Sequence, residues 1–591
     1  MQRFRWFLVL VSAAVIPVAG ARGAEADNAM GTIHVAHINL TKAIPETPQP
    51  TGFFGEQDDN LRAVAERIAK AAKDDQVKAL YLKVGGMGVG FGQIYEFRES
   101  IANFKKSGKK VYADLGDGLS GAYLLACSAD EIIVPPAGAV LLTGIRMQVL
   151  FLKDLLGKIG VEADFVQVGD YKGAAEPLTR SSMSKAFRKQ LTSVLDDYFE
   201  QMVGLIAESR GLEVEKVRKL IDEGPFSPED AKKAGLIDRV TYMSDLRSDL
   251  AKEFNAKKVV FKMNYGRRNI EKEFEGIAGL MKLLSSMSGQ NKKPEGFSLK
   301  PRIALIYATG PIMTGASDQG FGDGTTGSST LIKAIRAARD DGKVSAIVLR
   351  IDSPGGSALA SDLIWHELKK SGKPVVASMG NTAASGGYYI ALGAEKIYAE
   401  PGTLTGSIGV VGGKFALKGL MDKVGLNAEV ISRGKNANLF SLETKFSASE
   451  RTAITGLMES IYERFTSITS ESRDIPSKEL TEYAEGRVWT GRQAKKIGLV
   501  DELGTLNDAI DAAKELAKLS KETKVDVKVF PKPPTALEAI LGPIDEGLPR
   551  DARIWHGLLA ELGIPIDTID WLRPMVKERI LLLPPAILRV W

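Results

Sequence analysis

A chain of 591 residues is too long for one hydrophobic core and fits two or three domains. Its 78 basic and 73 acidic residues leave a net charge of +5 and are mixed along the chain, which excludes a clustered basic surface for nucleic acid. The single Cys127 excludes an intrachain disulfide framework, and the four histidines (His34, His37, His366, His556) form no cluster of metal-site spacing, so neither a metal nor another cofactor is expected.

Residues 1–30 read as a targeting segment: Arg3 and Arg5, an apolar run from Trp6 to Gly20, then Ala19-Gly20-Ala21 as a cleavage site. Fifteen helical residues reach roughly 22 Å, short of a hydrocarbon core of about 30 Å. Export is expected, with the run either a cleaved signal or a retained membrane anchor.

Residues 31–285 form a first repeat. The apolar run Ala79–Val84 predicts a strand and leads into Gly85-Gly86-Met87-Gly88. Next come Ser120-Gly121-Ala122-Tyr123, with Cys127 behind it as a small buried apolar residue, and the loop Gly169-Asp170-Tyr171-Lys172-Gly173. A long helix with an apolar stripe at Leu191, Leu195, Tyr198, Met202 and Leu205 follows, and then the block Ala231–Asp238. The polar, Gly- and Pro-bearing stretch 286–301 reads as a linker.

Residues 302–530 say the same again in the same order. Ala346–Ile351 answers Ala79–Val84, Ser385-Gly386-Gly387-Tyr388 follows Ser120-Gly121-Ala122-Tyr123 by 265 residues, and Ala494–Asp501 follows Ala231–Asp238 by 263. The helix between them carries Ile454, Met458, Ile461, Phe465 and Ile468 at the same helical spacing. A period sustained over this length is a duplicated domain. The tail 531–591 has no counterpart; its prolines preclude a spanning helix, and docking on the protein's own surface is expected of it over a membrane-surface role for Trp571 and Trp591.

In the second repeat, a strand runs into Ser353-Pro354-Gly355-Gly356 and a helix from Ala358 to Lys370. A second strand, Pro374 to Met379, then runs into the small-residue neck around Ser385. Such a neck taken by itself reads first as a helix cap with close packing, and second as the seat of a nucleophile beside glycine amides that hold an oxyanion. Two glycine turns at successive strand ends favour the second reading. A serine nucleophile needs a base. No histidine lies between His366 and His556, and His366 falls on a helix face, so lysine is the remaining candidate.

The turn Asp352–Ser357, the segment Ala383–Tyr389, the segment Gly402–Gly409 and Gly169–Gly173, in this order, resemble the signal peptide peptidase SppA (protease IV) family in its long, duplicated form. The resemblance covers about Gly31 to Phe530. It implies an α/β fold of two tandem ClpP/crotonase-like domains and a membrane-associated serine protease acting outside the cytoplasmic membrane, on the periplasmic side. Its substrates would be released signal peptides and other unfolded segments, and its assembly a homo-oligomer, a tetramer. It assigns Ser385 as nucleophile, Lys172 as general base, Ser407 as the hydroxyl orienting the lysine, and the amides of Gly386 and Gly356 as oxyanion donors.

The repeat supplies a separate check on the base. The position in the second copy equivalent to Lys172 falls near Ala437, which takes no proton, while Lys435 two positions away stands as a rival. The lysine would then come from the first repeat and the serine from the second, with Ser120 silent. Ordinary lysine titrates near 10.4, so a lysine base must be desolvated, which a seam between repeats can accomplish. A crotonase-like acyl-thioester enzyme and a non-catalytic peptide-binding scaffold are the competing functional readings.

Overall fold

The computed structural model describes residues 31–48, 60–86, 89–267, 300–317, 324–531, 578 and 580–583. The expected targeting segment, most of the linker and most of the tail lie outside them. Among the described residues no helix is long and apolar enough to cross a membrane.

Two sheets carry the fold, the first parallel and the second parallel except where Leu404–Gly406 meets Val488–Thr490 at one edge. The first repeat orders its strands Arg239–Val240, Glu131–Val134, Lys110–Asp114, Val77–Val84, Thr32–Leu40 and Lys258–Lys262. In the second repeat, Glu502–Leu503, Lys396–Ala399, Val375–Ala384, Val344–Ser353, Arg302–Thr309 and Asp526–Phe530 neighbour one another in the same order. Parallel sheets are covered on both faces, so their central strands are apolar almost throughout. In Val344–Ser353 all but two of the ten residues are buried. The duplication read from sequence is thus a duplication of α/β topology.

The repeated sequence blocks are repeated contacts. Arg210, ending the helix Lys185–Arg210, forks onto Asp238 at 2.9 and 2.8 Å, and Arg473, ending Ala448–Arg473, forks onto Asp501 at 2.8 and 2.6 Å. Each aspartate also accepts a strand amide, from Ile132 and Ile397 respectively, at 2.7 Å. Tyr123 and Tyr388 donate to the carbonyls of Leu236 and Leu499, both at 2.8 Å. The aspartates tie the strand after each Ser-Gly neck to the end of the long helix, and the tyrosines tie the neck's own short helix to the repeated block Ala231–Asp238 or Ala494–Asp501.

Both long helices begin at a serine cap, Ser184 accepting from the Phe187 amide and Ser447 forming a capping box with Glu450. Their stripes fall close to the expected ones, with Leu195 in the first helix and Ile461 in the second only half-buried. Val194 takes the place of Leu195 in the core, because 3.6 residues per turn moves a strict three-four pattern round the axis. Cys127 is buried, and burial pushes its thiol up to about 11.

A third, mixed sheet joins the repeats. Glu162–Val168 of the first runs antiparallel to Val410–Ala416 of the second over seven residue pairs. Asp164 accepts from the Phe446 amide at 2.8 Å and pairs with Arg451. The first repeat's helix Phe91–Lys105 packs on the second repeat's Val375–Ala384, the Gln93 amide donating to Asn381 at 3.0 Å. Gly92 makes this approach feasible: a Cβ there would stand 2.7 Å from the Gly380 carbonyl oxygen.

Candidate active site

The strand Glu162–Val168 ends at Gly169, and the chain turns through Lys172 into a short 3-10 helix, Gly173–Ala175. This loop is seated on the second repeat. The Tyr171 amide donates to the Glu485 carbonyl at 2.9 Å, and the Arg487 guanidinium stacks 3.5 Å above the Tyr171 ring. Gly169 has φ +105° and a Cβ on it would meet Glu485 backbone at 2.5 Å; Gly486 has φ +83° and its Cβ would meet Lys172 Cα at 2.5 Å. The two glycines let two backbones pass where side chains do not fit.

Ser385 closes the strand Val375–Ala384 and precedes the helix Gly386–Ala391. Its backbone sits at φ +56°, ψ −113°, a region that costs a non-glycine residue about 1–3 kcal/mol. Two hydrogen bonds hold it there: Ser385 N–H donates to Gly406 O at 2.7 Å, and Tyr389 N–H donates to Ser385 O at 2.8 Å. Ser407 shares the positive φ, +56°, and donates its N–H to Arg487 O at 2.6 Å.

The two loops converge on one amine. Lys172 Nζ lies 2.6 Å from Ser385 Oγ, 2.7 Å from Ser407 O and 3.0 Å from Ser407 Oγ. All three residues are 0% exposed. Burial holds the Lys172 amine well below the usual lysine range, and no carboxylate among the described residues opposes it. Valence fits the neutral form: two N–H groups meet the two Ser407 oxygens, leaving one lone pair for the Ser385 hydroxyl.

The Gly355–Gly356 turn backs the nucleophile. A Cβ on Gly386 would lie 2.6 Å from Ser361 Oγ and 3.1 Å from both Gly355 Cα and Gly356 N. Gly355 and Gly356 have φ +95° and +155°, and a Cβ on Gly356 would strike the Ile312 carbonyl oxygen at 2.0 Å. Gly386 and Gly356 are therefore brought together with Ser385, Lys172 and Ser407.

The rivals are placed elsewhere. Lys435 and Ala437 are exposed, in a segment with no helix or strand, and His366 is exposed in the last turn of Ala358–Lys369. Ser120 is buried, but its hydroxyl donates to the Gly144 carbonyl at 3.2 Å and its backbone lies within a helix rather than at positive φ. Sequence reasoning missed Gly486 and Arg487, which seat the lysine loop; an isolated Gly-Arg pair carries no signal of that role. The expectation that the tail docks on the protein's own surface holds for Ile580–Leu582, although sequence reasoning did not foresee that this run forms a strand of the third sheet.

A serine hydroxyl against a desolvated amine defines a class, the serine hydrolases, and the comparisons narrow it to the serine proteases. The profile of Peptidase family S49 matches residues 103–257 and 367–520, one stretch in each repeat. The chloroplastic serine protease SPPA of Arabidopsis thaliana is 34% identical over 508 residues, 85% of this chain and 73% of that protein. Protease 4 of Haemophilus influenzae is 30% identical over 511 residues, 84% of this chain and 80% of that one. Among solved structures, ClpP1 from Listeria monocytogenes aligns with 34% of this chain and 92% of its own, at 17% identity and a TM-score of 0.22. This chain belongs to Peptidase family S49. Family membership decides for the peptidase over the thioester enzyme and the scaffold.

Proposed function

We propose that the chain is a Ser/Lys-dyad endopeptidase that hydrolyses released signal peptides and other unfolded peptides outside the cytoplasmic membrane. The observation that carries this reading is the 2.6 Å approach of Lys172 Nζ to Ser385 Oγ, across the two repeats and fully buried. Neutral Lys172 takes the Ser385 proton as the oxygen attacks a peptide carbonyl. The amides of Gly386 and Gly356 receive the developing oxyanion. The lysine then protonates the leaving amine, and a water activated by the same nitrogen cleaves the acyl-enzyme. Ser407 keeps the amine aimed by accepting both of its N–H bonds.

The Trp6–Gly20 run supports export, and the exposed Val424, Leu426, Val430 and Ile431 support a face covered in a homo-oligomer, a tetramer at the membrane.

A serine-directed acylating probe, with the adduct mapped by mass spectrometry, tests the dyad. Labelling is expected at Ser385, rising with pH, abolished in Lys172→Ala and unchanged in Lys435→Ala. Labelling that survives in Lys172→Ala and disappears in Lys435→Ala would transfer the base role and overturn the assignment.

A further inference from the structure

The stem of Lys172 runs between two glycines of the second repeat. A Cβ on Gly409 would lie 3.0 Å from both Lys172 Cδ and Gly486 Cα, and one on Gly486 would lie 2.5 Å from Lys172 Cα. Arg487 follows Gly486 and holds two neighbours of the amine at once. Its main-chain carbonyl accepts the Ser407 N–H at 2.6 Å, fixing the residue whose two oxygens face the Lys172 amine. Its guanidinium carbon lies 3.5 Å from the ring centre of Tyr171, the residue before Lys172.

Among the described residues Arg487 forms no ion pair, and its Nε is buried without a hydrogen-bond partner. An unpaired buried N–H costs stability, so the flat stack on Tyr171 is the contact that accounts for the side chain's placement. Tyr171 and Arg487 are half-buried, whereas Lys172 beside them is 0% exposed, so the stacked pair is the solvent-facing cover of the amine on this side. The first repeat lacks the device. There Glu223-Gly224-Pro225-Phe226-Ser227 answers Glu485–Thr490, one residue shorter and without an arginine, and the loop equivalent to that of Lys172, around Ala437, is exposed.

Resting on the dyad reading above, we propose that Arg487 is a positioning residue for the general base, its guanidinium clamping Tyr171 over Lys172 so that water is kept from the amine and the amine stays in line with Ser385. Replacing the side chain leaves the main-chain bond to Ser407 in place and opens one wall around the base. Water entering there solvates the ammonium form, so more of the amine is protonated at neutral pH, and the missing rate returns as pH rises. A merely structural residue would lower the rate by one factor at every pH.

Full-length variants treated with a serine-directed acylating probe from neutral to alkaline pH test the clamp. In Arg487→Ala and in Tyr171→Leu, labelling of Ser385 at pH 7 falls about tenfold, the strength of a half-buried cation–π contact, and the midpoint of the labelling curve moves to higher pH. Tyr171→Phe keeps the ring and restores most of the labelling lost in Tyr171→Leu, while Arg487→Lys keeps a cation without the planar stack and falls between wild type and Arg487→Ala. Arg487→Ala combined with Tyr171→Leu loses no more than either alone, as two halves of one contact require. Acetic anhydride, with the adduct mapped by mass spectrometry, modifies Lys172 faster in Arg487→Ala carrying Ser385→Ala than in Ser385→Ala. An unmoved midpoint in both single variants, or losses that add in the double variant, overturns the clamp and leaves the dyad standing where wild-type Ser385 is labelled. Acetylation needs no catalysis, so Lys172 unmasked by Arg487→Ala in a protein whose wild-type Ser385 is never labelled would sink the dyad reading and leave the clamp.

Discussion

Lys172 is a residue whose burial costs stability, which the proposed role as base accounts for. Burial, opposed by no carboxylate among the described residues, holds its amine well below the usual lysine range, so folding disfavours a proton that the unfolded chain retains. The sign follows: between the depressed folded value and the ordinary one near 10.5, the unfolded state binds more protons, so stability rises with pH across that window. Lys172→Met, close in volume and without charge, is expected to melt above the wild type at pH 7, with the gap narrowing as pH approaches 10.5. Calorimetry over that range checks it; a gap independent of pH would mean the amine is already solvated. Gly486 acts on the same residue through its backbone. Gly486→Ala forces a Cβ to 2.5 Å from Lys172 Cα, and a displacement of about 1 Å at the base costs about a hundredfold in kcat. Steady-state kinetics should show that loss with KM little changed.

At the scale of elements, the seam between repeats is held by charge as well as by strands. Arg350, on Val344–Ser353 and fully buried, meets Glu46 at 2.7 Å and Glu96 at 2.8 Å, both carboxylates coming from the first repeat. Glu96 also accepts the Leu506 amide at 2.8 Å, so the cluster reaches the second repeat's last long helix. Burial, reinforced by Glu96, raises the Glu400 carboxyl well above the usual range, which disfavours a third negative charge there. Arg350→Met leaves two buried carboxylates uncompensated and is expected to cost about 3–5 kcal/mol at pH 7. Protonation relieves such carboxylates, so the penalty should shrink as pH is lowered. Denaturant titrations at two pH values decide this; a pH-independent loss would indicate a packing effect only.

For the whole molecule, duplication followed by division of labour explains why one of two serine necks is equipped. Ser385 has the strained backbone and the lysine, whereas Ser120 has a helical backbone and a carbonyl partner. The seven-pair ladder between Glu162–Val168 and Val410–Ala416 delivers the lysine within one chain. Co-expressed full-length Lys172→Ala and Ser385→Ala chains are therefore expected to form no probe-reactive site. Recovery of labelling in the mixture would show that the dyad closes between neighbouring chains.

The duplication, its alternation of strands and helices, and the candidate Ser385 were legible in the sequence because local patterns encode them: apolar runs, helical stripes and glycine necks recur at a constant period. Lys172 and Ser407 were legible only through family resemblance, since nothing in an isolated Asp-Tyr-Lys-Gly loop signals burial. Tertiary structure alone decided the rest. The depressed amine depends on solvent being excluded by Gly409, Gly486 and Ser407, more than 230 residues away in the chain. The seat of Ile580–Leu583 depends on two strand edges lying one strand-width apart. Desolvation and edge pairing are properties of distance in space, and a sequence records only distance along the chain.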